Sequence, residues 1–220
     1  LFIIFPIINI ILFAFCPIAK QSGDETPMTI KRVFKMKYFI ILFIAILAAG
    51  ASEIAVAQWG SYFIELRLNV DKTTGDLIGL CIFAGSMAIS RTLFGFIGDK
   101  INTKIALIFS SALLIISYCM ISLFDSVPTS IAGIASAGLF VGILWPAIYS
   151  VASKVYPMGG TRMFSLLALA GDTGCVSGPL VVGLFSNDIK LGFTLAIVFP
   201  CLALISMVLF SLLTKKSENI

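Results

Sequence analysis

Histidine is missing altogether from this chain, and charged residues make up only 12% of it. Without imidazole there is none of the usual metal ligand, general base or pH switch of that type. The shortage of charge excludes a soluble domain: 59% hydrophobic residues and a mean hydropathy of +1.08 leave more apolar surface than 220 residues can bury in water. The solvent for that surface is lipid. Cysteine pairing is absent too. Cys16, Cys81, Cys119, Cys175 and Cys201 form an odd set with no CxxC spacing, each inside an apolar stretch, and read as small buried hydrophobes. No HExxH, GxSxG, histidine cluster or acidic metal pair occurs, so a membrane enzyme is not indicated, and neither a metal nor a cofactor is expected. The net charge of +4 comes from basic residues scattered over separate short loops, not from a stripe, so a nucleic-acid partner is not indicated either.

What the chain has is long apolar runs. A helix needs about 20 mostly apolar residues to cross a hydrocarbon core about 30 Å thick. Seven stretches qualify, at 1–19, 38–64, 76–97, 103–124, 130–151, 163–185 and 191–213, and are numbered here as spans one to seven. They are too long for strands and lack period-two alternation. The first run opens Leu-Phe-Ile-Ile with no basic segment before it and no small-residue cleavage site after it, so it does not read as a signal peptide. With the first Met at Met28, the expectation is a chain that continues from an upstream segment.

Lys and Arg in alternate loops set orientation. Lys20, Lys31, Arg32, Lys35, Lys37, Lys100, Lys104, Lys154, Arg162, Lys215 and Lys216 fall on one side, and only Arg67, Lys72 and Lys190 on the other, a bias of 11 to 3. The first side is expected to be cytoplasmic, with Arg91 inside span three.

The most specific local pattern joins spans three and four: Gly95-Phe-Ile-Gly98-Asp99-Lys100-Ile-Asn102-Thr-Lys104. Small Gly95 and Gly98 suit a close helix neighbour, Asp99 suits a basic partner or an exposed helix N-terminus, and Lys100 and Lys104 hold the turn inside. Positions 84, 87, 88, 91, 95 and 98 share one helical face, which puts Arg91 in a stripe of small residues, either snorkelling to water or meeting an interior partner. Span six carries Gly171, Asp172, Gly174, Gly178, Pro179 and Gly183, a spacing for close packing with a proline bend, with or without a gating role. Two carboxylates lie well inside spans. Glu53 runs along Ala49, Gly50, Ala57 and Gly60, and Asp172 along Ala168, Cys175 and Pro179. Each must face protein or water, because an ionised carboxylate in lipid costs several kcal/mol. Each either titrates in a proton-coupled cycle or accepts hydrogen bonds. Gln58 and Trp59 combine an amide with a stacking face, which suits a hydroxylated ligand, while Trp59 also fits an interfacial belt. Trp145-Pro146 is expected to break span five at mid-depth, with Tyr149 one turn further on.

The loop from Gly95 to Lys104 resembles the G-x-x-x-D-[RK]-x-G-x-[RK] signature of the major facilitator superfamily, with Asn102 where that family usually has Gly. Asn tolerates φ > 0, so the departure is mild. The order Glu53, Gln58-Trp59, Arg91, Asp99-Lys100, Trp145-Pro146, Tyr149, Gly171-Asp172 and Gly178-Pro179 is similar to the fucose-permease-like branch. The resemblance implies an all-α membrane protein of seven transmembrane helices, one plus a six-helix bundle, as half of a 12-helix transporter. Residues 1–19 would be the sixth helix, 20–37 a basic cytoplasmic connector, 38–214 the C-terminal bundle and 215–220 a cytoplasmic tail. It implies secondary active transport of a small polar solute, such as a sugar, by symport with protons, in a multi-pass protein of the bacterial plasma membrane. The partners it implies are the lipid bilayer, the solute with protons, and a missing N-terminal half. Substrate contact would fall to Glu53, Gln58, Trp59, Trp145 and Tyr149. Proton coupling or gating would fall to Glu53, Arg91, Asp99, Lys100, Asp172, Gly178 and Pro179. The competing expectation is a complete seven-span receptor-like or assembly protein without transport activity.

Overall fold

A computed structural model describes residues 3–16 and 29–218, and every regular element among them is a helix. The elements are α1 (Ile4–Phe15), α2 (Ile30–Phe34), α3 (Phe39–Leu68), α4 (Lys72–Ile97), α5 (Thr103–Ser122), α6 (Val127–Val141), α7 (Leu144–Val155), α8 (Gly160–Gly183), α9 (Ile189–Ala196) and α10 (Val198–Glu218), with a 3-10 turn at Ser186–Asp188. Six units are long and apolar enough to cross a membrane: α3, α4, α5, α6 with α7, α8, and the segment Ser186–Lys215 that holds α9 and most of α10. They coincide with spans two to seven. Span one is present as the 12-residue α1, whose described side chains are all exposed, and the remainder of that run lies outside the described residues. Of the basic connector, only its last part is described, with α2 as a short helix.

The helices alternate in direction, and the loops gather at two ends. At one end the Tyr156 hydroxyl accepts from the Tyr38 backbone N–H at 2.8 Å, and Lys104 Nζ donates to Thr214 Oγ1 at 3.0 Å. At the other, Asp125 meets both Arg67 and Lys190. Several ends are fixed by single residues. Asp71 accepts from Thr74 N–H, so α4 begins four residues before the expected 76, and Asp188 accepts from Leu191 N–H at the start of α9. Asn69 stops α3 in the left-handed region at φ 53. Within the spans, hydroxyls turn back on their own helices, as Ser52 does to Ala48 O and Ser111 to Leu107 O, both at 2.8 Å, which satisfies them without water.

α3 is the hub. It packs most extensively on α8, then on α4 and α10. Glycine makes the first seam possible: a Cβ on Gly174 would lie 2.0 Å from the Leu47 carbonyl oxygen, one on Gly178 2.1 Å from that of Ala51, and one on Gly50 2.4 Å from that of Gly171. In lipid, where apolar burial does not drive helices together, such backbone approach is what holds them. Large apolar residues such as Leu77, Ile89, Leu93 and Phe96 of α4 point outward, as a bilayer allows.

Three expectations need correction, and one break was not expected. The break in span five falls at Gly142-Ile143, not at Trp145-Pro146, because Pro146 has no N–H to give to the carbonyl one turn upstream, at Gly142, and itself sits in the first turn of α7. Span seven is broken as well, at Ile197, with Pro200 in the equivalent place of α10. Asn102 does not stand in for a glycine with φ > 0; at φ −73 its side chain accepts from the N–H groups of Lys104 and Ile105 and caps α5. The cysteines are free but none is fully buried, and Cys16 and Cys81 face outward, since a small apolar thiol meets lipid at little cost.

Candidate functional site

Glu53 lies at the middle of the 30-residue α3, and its neighbour Ser52 is held from behind: the fully buried Tyr118 of α5 donates its hydroxyl to the Ser52 carbonyl at 2.7 Å. This fixes the turn from which Glu53 projects. Arg91 of α4 supplies the counter-charge, with Nη2 at 2.9 Å and 3.0 Å from the two carboxylate oxygens, and Nε donates to the Gly142 carbonyl at 3.3 Å. Arg91 therefore has an interior partner and does not simply snorkel. The carboxylate side chain is only 13% exposed and the guanidinium 44%, so the pair opens to one side. It opens into a cleft of about 440 Å³ lined by Glu53, Arg91, Phe94, Gly95, Trp145 and Pro146.

Trp145 closes one wall. Its six-membered ring lies against Gly171 of α8, where a Cβ would come within 2.3 Å of the ring, and it begins an aromatic row with Tyr149 at 6.2 Å and Phe164 at 5.9 Å beyond that. Its indole N–H is buried without a hydrogen-bond partner among the described residues. Asp172, one residue past Gly171, is exposed and has no ion pair among the described residues, so the interior seam expected for it is occupied by Gly171, Gly174 and Gly178 instead.

Gln58 and Trp59 lie further along α3, in a second cleft of about 620 Å³ with Ser61, Tyr62, Glu65, Lys72, Asp76 and others. The Trp59 indole N–H donates to the Pro179 carbonyl at 3.0 Å, and its ring covers Gly183, so Trp59 ties α3 to α8 beside the proline. The site residues thus fall into two groups, Glu53, Arg91 and Trp145 around one cleft and Gln58 and Trp59 around the other. Asp99 and Lys100 stand apart, exposed at the end of the bundle, and Asp99 has no ion-pair partner among the described residues. Gly95 does not receive a helix here: a Cβ on it would meet nothing within 4 Å.

Sequence reasoning missed Tyr118, Gly142 and Phe94. Gly142 had a signal, since it lies four residues before Pro146 and so is left without its helical donor. Tyr118 had none, because a tyrosine within an apolar run does not reveal which backbone it reaches.

The sequence profile of the Major Facilitator Superfamily matches residues 39–219. The chain belongs to that superfamily. It is 24% identical over 158 residues to the uncharacterized MFS-type transporter YttB of Bacillus subtilis, covering 72% of this chain and 38% of that protein. Among solved structures it is similar to a peptide transporter POT in complex with sulfate, with a TM-score of 0.72, 22% identity, and 87% of this chain and 41% of that one covered. A POT family transporter in complex with a thioalcohol-conjugated peptide gives a TM-score of 0.69 at 21% identity, with 79% and 38% covered. These likenesses show the fold, half of a major facilitator fold, and the chain spans about two fifths of the length of these relatives. It is an integral, multi-pass membrane protein of a transporter family, not of an enzyme family.

Proposed function

We propose that residues 38–214 are the C-terminal bundle of a secondary transporter, preceded by its sixth helix at 1–19 and a cytoplasmic connector at 20–37. Together with an N-terminal bundle they move a small polar solute, with a sugar as first candidate, along with protons across a bacterial plasma membrane. The observation that carries this reading is the Glu53–Arg91 pair, set at mid-span and open to a cleft. A charge pair is costly to place at that depth and is retained where it meets a solute or an ion. Glu53, Trp145 and Tyr149 would contact the solute, with Gln58 and Trp59 towards the outer end, and Glu53 with Arg91 would link the solute to protons. Asp172, Gly178 and Pro179 serve coupling or bending of α8, and Asp99 and Lys100 gate the cytoplasmic side. Rocking of one bundle against the other gives alternating access.

The test is the full-length protein in lipid vesicles loaded with a pH-sensitive dye, to which L-fucose and a panel of hexoses are added. Sugar-dependent acidification of the lumen supports the reading, and no response to any sugar overturns it. A short peptide is the second reading. It is prompted by the fold shared with the peptide transporter POT and by the part-exposed Arg91 side chain, a charge suited to a peptide carboxylate. Dialanine in the same vesicles separates the two.

A further inference from the structure

The ion pair and the broken span share one carbonyl. In an α-helix the carbonyl of residue i accepts from the N–H of residue i+4. For Gly142 that residue is Pro146, which has no N–H. The ladder accordingly stops at Gly142, whose own N–H still bonds Gly138 O at 3.1 Å, and resumes with Ala147 N–H to Ile143 O at 3.0 Å. The Gly142 carbonyl takes its hydrogen bond from Arg91 Nε instead, while Nη2 of the same guanidinium holds Glu53. The missing side chain at 142 brings this carbonyl within reach. A Cβ there would lie 3.0 Å from Ser90 Cβ and 3.1 Å from the Met87 carbonyl oxygen, in the turn of α4 that leads to Arg91.

We infer that Pro146 and Gly142 are positioning residues for the Glu53–Arg91 pair, and that through them the state of the pair is linked to the bend between α6 and α7. Pro146 leaves a carbonyl without its helical donor, Gly142 lets α4 approach it, and Arg91 spans from it to Glu53. While Arg91 holds both, the bend is pinned to α4. Whatever draws the guanidinium away from Glu53 changes its hold on Gly142 and releases the bend. The significance for transport rests on the reading proposed above, whereas the linkage itself rests on the hydrogen bonds.

The experiment is a double-mutant cycle on the full-length protein in detergent, read by thermal unfolding. Pro146→Ala restores the N–H that competes with Arg91 for the Gly142 carbonyl. In the Glu53→Gln/Arg91→Met background that carbonyl has no donor, and Pro146→Ala should raise the melting temperature by about 1–2 °C more than it does in the presence of Arg91, the shift one hydrogen bond carries in a protein about twice the size of this chain. Effects of Pro146→Ala on helix propensity are common to both backgrounds and cancel. Equal shifts in both overturn the inference. Should Pro146→Ala fail to fold, Arg91→Lys, which keeps the charge but replaces the fixed fork of Nε and Nη2 by a single nitrogen, provides a second route. With every tryptophan of the full-length protein other than Trp145 replaced by Phe, Trp59 included, Arg91→Lys should shift the Trp145 emission maximum just as the Glu53→Gln/Arg91→Met pair does. An unchanged spectrum overturns the inference. No solute enters these assays, so a failed sugar test leaves the linkage standing, and a flat cycle leaves the transport reading standing.

Discussion

Gly174→Ala should be the most damaging single methyl in the bundle. Its Cβ would lie 2.0 Å from the Leu47 carbonyl oxygen and 2.9 Å from the Ala51 nitrogen, both backbone atoms of α3. Ordinary contact begins at 3.4 Å, so α3 and α8 must part by about 1.4 Å, the difference between 3.4 and 2.0. Local adjustment is blocked, because Gly178 and Gly50 pin the same seam at 2.1 Å and 2.4 Å from opposing carbonyl oxygens. Overpacking costs about 1–3 kcal/mol, and with no flexible side chain to yield, about 3 kcal/mol is expected. At about 2–4 °C per kcal/mol for a chain of this size, the melting temperature should fall by roughly 6–12 °C. Gly85→Ala is the control, since its Cβ meets nothing within 4 Å. That change should leave stability unaltered or raise it by up to about 1 kcal/mol through helix propensity. Tryptophan-fluorescence melting of both purified variants in detergent makes the comparison. If the two melt within about 2 °C of each other, the glycine seam does not hold the bundle as argued.

Asp125 gives a pH prediction: its carboxyl is held below the usual value of 3.8 by the hydrogen bond and charge of Lys190, with Arg67 adding to the effect. A lowered folded pKa gives stability that is present above the unfolded value and lost as pH falls through the folded one. Asp125→Asn should therefore melt slightly below the parent protein at neutral pH, with the gap closing as pH falls below 3.8; a gap independent of pH would dismiss the cluster. For orientation, a cysteine at position 31 in a cysteine-free background should resist an impermeant reagent added outside intact cells, and rapid labelling would reverse the assigned topology. At the loop signature, Asp99→Asn should lower solute uptake several-fold with normal membrane insertion, and unchanged uptake would remove Asp99 from gating.

Much of the architecture was legible because the bilayer imposes a length on apolar runs, so α3, α4, α5 and α8 followed from span counting alone. Their ends were less so. Asp71 begins α4 early by capping Thr74, and Asn69 allows α3 to run to Leu68, choices made by single side chains against a weak background of hydropathy. The break in span five was mislocated because a proline acts one turn upstream of itself, on the carbonyl it leaves without a donor, as at Gly142 for Pro146, and the break in span seven was not anticipated. In the site, the need of Glu53 for protein surroundings could be read from its Ala and Gly stripe, but the identity of its partner could not. Arg91 is 38 residues away, and only the close approach of α4 to α3 and α6, set by Gly79, Gly138 and Gly142, brings it within 3.0 Å. The separation of Gln58-Trp59 from Glu53 into a second cleft follows from depth and from helical face, since five and six residues along α3 turn them towards other neighbours.

If Glu53 is the carboxylate that links solute to protons, Glu53→Gln in the full-length protein should uncouple the two. Vesicles are given an inward proton gradient and radiolabelled L-fucose, and the same vesicles are assayed for exchange of internal for external sugar without a gradient. The variant should keep exchange at a rate close to that of the parent protein and lose accumulation against a concentration gradient. Accumulation equal to that of the parent protein would contradict it, reducing Glu53 to the packing partner of Arg91 and placing the coupling group elsewhere.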